Sequence, residues 1–88
     1  MQLSQPARAL LVETVADGST RATRRVWAID ADWVRVGDAG LFYRRRHAEE
    51  LERAGLLDYR PAVRGRYIDG WRLTPAGVAL AKEMIERE

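Results

Sequence analysis

The chain has 88 residues, 47% of them hydrophobic and 32% charged, with a formal net charge of +2 and no cysteine. That length supports one domain over residues 1–88 with a small core, and the missing cysteine excludes disulfide scaffolds, thiolate metal sites and thiol nucleophiles. No apolar run approaches bilayer-spanning length and the N-terminus lacks a signal-peptide pattern, so a cytoplasmic protein is expected.

A first helix is predicted over about residues 5–16. Ser4 offers a polar cap, Pro6 falls in the first turn, and Ala7, Leu10, Leu11 and Val15 recur at helical spacing until Asp17-Gly18 supplies a stop. Ala9, Val12 and Ala16 form a second, weaker apolar edge. Residues 19–37 admit two readings: Ala22, Val26, Ile29 and Trp33 fit a helix, whereas Trp27, Ile29, Ala31 and Trp33 fit the period of a strand. A longer helix is predicted from Ala39 to Ala54 behind a cap at Asp38, with Leu41, Ala48 and Leu51 along one face and His47 beside them. Gly55 closes it as a left-handed C′ residue. Residues 58–73 hold Tyr59, Val63, Tyr67, Ile68 and Trp71 among the turn residues Pro61, Gly65 and Asp69-Gly70, and read as one irregular hairpin. Thr74 then caps a last helix with Pro75 at its first position.

Leu51-x-x-Ala54-Gly55-Leu56-Leu57, followed at a hairpin's length by Trp71-Arg72-Leu73-Thr74-Pro75-Ala76-Gly77, resembles the second half of winged helix-turn-helix regulators of the MarR and PadR type, over about residues 38–80. The resemblance implies an α+β, mainly helical winged helix-turn-helix fold with a two- to three-stranded wing hairpin. On that template Arg25–Ala28 is a short strand pairing with the wing, and Asp30 caps a short helix over about 31–36 with Trp33 in the core and a turn at Gly37. The helix over 39–54 becomes the recognition helix and the hairpin becomes the wing. Two departures stand out. Gly40-Leu41-Phe42-Tyr43 occupies the stretch where these families often carry small polar residues, and the long dimerisation helices of many MarR domains have no counterpart.

Charge distribution carries more information than net charge. Between residues 18 and 72 stand twelve arginines and eight acids, and Lys82 is the one lysine among fifteen basic residues. Arginine engages phosphates and guanine edges bidentately; a coding bias toward arginine explains the same count. Tyr43, Arg44, Arg45 and Arg46 are the leading DNA-contacting candidates, on the exposed side of the recognition helix. Arg60, Arg64 and Arg66 follow, on the wing, where they would reach phosphates or a narrow minor groove. The blander readings are a solvated helix in which Arg45 and Arg46 pair with Glu49 and Glu50, and a hairpin edge protected by charge. Arg21, Arg24 and Arg25 form a further basic segment, either a phosphate-contacting loop or a polar connector, and Tyr67 is a stacking candidate.

One histidine cannot supply a catalytic triad or a histidine metal site, and no phosphate loop or nucleophile elbow is present. The expected protein is therefore a non-enzymatic, cofactor-free binder of double-stranded DNA that regulates transcription. The alternative is a winged-helix module that binds another protein through Phe42, Tyr43 and the wing. A homodimer is also expected, built from Ala9, Val12 and Ala16 of the first helix and Val78, Ala81 and Ile85 of the last.

Overall fold

The computed structural model describes residues 2–15, 23–37, 41–63 and 69–87. Those residues form three α-helices and five β-strands, in the order α1 (Gln5–Glu13), β1 (Val26–Ala28), β2 (Trp33–Val36), β3 (Leu41–Arg44), α2 (Arg45–Arg53), β4 (Leu57–Arg60), β5 (Gly70–Leu73) and α3 (Pro75–Glu86). The strands make one antiparallel sheet in the order β3-β2-β1-β5-β4. The expectation of a mainly helical winged helix-turn-helix is thus corrected: a five-stranded sheet is the backbone of the fold, and the helices cover one side of it.

The correction is concentrated in residues 31–44. The short helix expected over 31–36 is strand β2, and the helix expected from Ala39 begins only at Arg45, because Leu41–Arg44 pairs with β2 over four positions from Val36↔Leu41 to Trp33↔Arg44. β-Branched Val34 and Val36 and aromatic Phe42 and Tyr43 suit a pleated surface better than a helix. Val34 and Val36 are buried while Trp33 between strand and turn is exposed, which is the alternation of a half-buried strand. Asp30 caps no helix. Its Oδ1 accepts from the N–H groups of Asp32 and Trp33 at 2.8 and 2.9 Å, closing the β1–β2 turn as an Asx motif. The proposed cap at Asp38 lies outside the described residues.

Elsewhere the starts of the helices follow their capping residues, although α1 stops at Glu13, short of the expected end near residue 16. The Ser4 hydroxyl accepts from Ala7 N–H and opens α1, and Thr74 accepts from Gly77 N–H and opens α3, each with proline in the first turn. Gly55 takes φ +77° behind α2, a left-handed conformation that a side chain resists. β1 pairs with β5 and β4 with β5, so the hairpin and its third strand form as expected.

One core joins the layers. Ala7, Leu10 and Leu11 of α1, Ala48 and Leu51 of α2 and Ala81 of α3 meet Val26, Val34, Val36, Leu57 and Trp71 of the sheet. Ala81 is therefore core rather than part of a dimer stripe, Val78 and Ile85 are half-buried, Ala9 is exposed, and Ala16 lies outside the described residues. Polar ties reinforce the packing. Trp71 Nε1 donates to Glu52 Oε1 at 2.8 Å and Tyr59 meets the Trp71 ring edge-on at 5.1 Å. Glu50 accepts from both the backbone N–H and the hydroxyl of Ser4, at 2.8 Å each, linking α2 to the start of α1. These bonds favour the charged carboxylate and hold the Glu50 pKa below its usual range, the backbone N–H being the largest cause. No described helix is long and apolar enough to cross a membrane.

Candidate nucleic-acid interface

Cross-strand partners share a face of the sheet, so the register sorts every strand residue. Val26, Ala28, Val34, Val36, Tyr43, Leu57, Tyr59, Trp71 and Leu73 belong to the face against the helices. The opposite, outer face carries a different chemistry. One row crosses the whole sheet: Phe42 pairs with Arg35, Arg35 with Trp27, Trp27 with Gly70 and Gly70 with Arg60. Four interstrand steps make that row about 19 Å long. Flanking it are the Trp33–Arg44 pair on one side and the Asp58–Arg72 pair on the other.

Arginine and aromatic rings are interleaved on this face. The Arg44 guanidinium lies 4.2 Å from the Trp33 ring centroid, and that of Arg25, the residue before β1, lies 4.6 Å from the Trp27 ring. Gly70 makes room for the latter: a Cβ there would meet Arg25 Nε at 3.1 Å and collide with the Val26 carbonyl. The Arg35 Nε is buried with no hydrogen-bond partner among the described residues. Arg44, Arg60 and Arg72 are exposed, and Arg60 Nε sits 3.7 Å from Asp58 Oδ2. Five arginines (25, 35, 44, 60 and 72) thus face one strand carboxylate, Asp58, on a chain whose net charge is only +2.

At the β2–β3 end, Ile29, Trp33 and Phe42 remain 48%, 38% and 56% exposed. With Asp30 they line a shallow, mostly apolar groove of about 450 Å³. Asp30 Oδ1 accepts the two backbone bonds of its turn.

The arginine triplet is split by the junction of β3 and α2. Tyr43 turns inward, half-buried, and burial foremost and then Glu13 raise its pKa. Arg44 ends the strand on the outer face with an extended backbone (ψ 136°). Arg45 starts α2 and reaches inward, its guanidinium 3.2 Å from the Asp30 carbonyl, 4.0 Å from Glu49 and 5.3 Å from the Trp71 ring centroid. Nearby, the Tyr59 hydroxyl donates to Asp69, which also accepts from Ala62 N–H; that pair raises the tyrosine pKa and lowers the aspartate's. Arg46 is exposed beside Arg44 and Glu49, over a groove with Ala31 and Asp32. The four residues from Tyr43 to Arg46 therefore do not share one helical surface. Arg60 joins Arg44 on the sheet, while Arg64, Arg66 and Tyr67 lie outside the described residues.

Sequence reading passed over Arg25, Arg35, Arg72 and Trp27 as members of one surface. The signal was there in the alternation Arg25-x-Trp27 and Trp33-x-Arg35, which is legible only once these segments are read as strands. His47, 11% exposed, sits 3.7 Å from Glu50 and away from this face. No group of three or more potential metal ligands exists among the described residues. Comparison with protein-family models, with curated proteins and with solved structures finds no match.

Proposed function

We propose that this domain binds nucleic acid through the outer face of its sheet. The observation that carries the reading is the interleaving of five arginines with Trp27, Trp33 and Phe42 on a surface that holds one strand carboxylate. Guanidinium groups neutralise phosphates and hydrogen-bond to them in pairs, and aromatic rings contact sugars and bases. No catalytic group is required for this role, and the domain would act as an intracellular binding module. The helix-led mode that a winged helix would use has little to work with here, because α2 is nine residues long and its first arginine is engaged by Asp30 and Glu49.

The salt dependence of binding tests the reading. Contact with about four phosphates gives a slope of log affinity against log salt of roughly −3 to −4. Absence of binding at low salt, or a slope near zero, overturns it. A protein partner is the second reading, favoured by the exposed Ile29, Trp33 and Phe42; the arginine count around that patch weighs toward a polyanion.

A further inference from the structure

Resting on that reading, we infer that the preferred ligand is a single strand whose bases stack on the β2–β3 end of the outer face, with Phe42 as the principal stacking ring. Phe42 is the most exposed of the large apolar side chains and has no ring or cation partner among the described residues. Its planar surface is free, whereas in an unliganded domain it gains nothing from facing water. One strand away the Trp33 ring carries the Arg44 guanidinium, and two strands away the Trp27 ring carries that of Arg25. The exposed Arg44 guanidinium, stacked on the Trp33 indole, presents a flat, positively charged plane on which a base can lie while its phosphate is neutralised, whereas Arg25, with Nε and Nη2 buried, contributes charge from beneath the surface.

A duplex cannot use this arrangement. Its bases are stacked on each other and offer only edges in the grooves, so the arginines would meet phosphates and the rings would be idle. An unpaired strand exposes the π-face of every base, and alternating rings and cations match its alternating bases and phosphates. The row of about 19 Å accommodates a few nucleotides, the low end of the roughly 4–16 that a single-strand-binding sheet of comparable size takes. Stacking needs no particular base, so preference among sequences is modest.

The test compares fluorescein-labelled oligothymidine of about 12 nucleotides with its duplex on oligoadenylate, by anisotropy at fixed low salt, with inorganic polyphosphate as a competitor. The single strand is expected to bind at least about tenfold more tightly than the duplex. Phe42→Ala is expected to weaken the single strand by about five- to a hundredfold. The same variant leaves duplex binding and polyphosphate competition within about twofold. Phe42 is exposed on the outer face, so the variant keeps the core, and Phe42→Trp is expected to restore binding. Equal affinity for both forms, with Phe42→Ala indifferent, overturns the single-strand assignment and leaves the basic face as a general phosphate binder. Binding of neither form overturns the nucleic-acid reading together with this one.

Discussion

The two faces of the sheet are built from the same five strands and, tryptophan apart, differ in composition. Toward the helices stand valines, leucines, an alanine, tyrosines and a buried tryptophan, with Trp71–Glu52 and Tyr59–Asp69 contacts among them. On the other side stand arginines, two tryptophans and a phenylalanine. An antiparallel sheet commonly leaves one face wet and polar. Here the wet face keeps its large rings, which dissolve poorly, and sets a cation on two of them. Burial explains the inner face completely; solvation alone leaves the rings of the outer face without a reason.

Substitution separates the faces. The largest expected effect is on the inner side: Trp71→Ala removes a side chain 1% exposed and the bond to Glu52, and should cost about 3–5 kcal/mol in a urea melt. A loss below about 1 kcal/mol would mean that the inner face is not the core. Next, Arg60→Glu combined with Arg72→Glu should lower nucleic-acid affinity on the order of a hundredfold while the melt shifts by no more than about 1–2 kcal/mol, the cost of setting two acids beside Asp58. A destabilisation as large as that of Trp71→Ala would erase the distinction. The smallest effect is on acid sensitivity. Ser4 holds the Glu50 carboxylate below its usual pKa, so the unfolded chain takes up that proton first as pH falls. The contribution is fully present above the ordinary glutamate value of about 4.3 and is lost as pH drops through the lower folded value. Glu50→Gln should flatten that part of the acid limb in melts taken between about pH 3 and 6; an unchanged limb would remove Ser4–Glu50 as a source of stability.

The parts of the fold legible in sequence were those set by local chemistry. Ser4 and Pro6, Thr74 and Pro75, and Gly55 each act within one turn of backbone, and each element end lies where they put it. The hairpin was legible from its turn residues, whereas β1 came only from the winged-helix template, because residues 19–37 fit a helix and a strand alike. Residues 31–44 were not legible. Trp33-Val34-Arg35-Val36 satisfies a strand by alternation, but four residues are too few to exclude one turn of helix, and the template supplied a helix. Leu41–Arg44 becomes a strand only because β2 is beside it, a non-local partner that spacing along the chain does not encode. With that register went the site: alternate residues of five segments spread along the sequence gather on one surface only when their pairing is known. Arg44, Arg45 and Arg46, adjacent in the chain, part company for the converse reason, since a strand passes into a helix between the first and the second.

The division of the three tryptophans between the faces also makes the molecule its own optical probe. Trp71 is enclosed and hydrogen-bonded to Glu52, whereas Trp27 and Trp33 share the outer surface with stacked guanidinium groups. Emission from the enclosed indole reports folding and is shielded from a dissolved quencher. Emission from the outer pair reports what arrives at the surface. Loss of folding and occupation of the sheet can therefore be followed in one unlabelled sample, at two wavelengths.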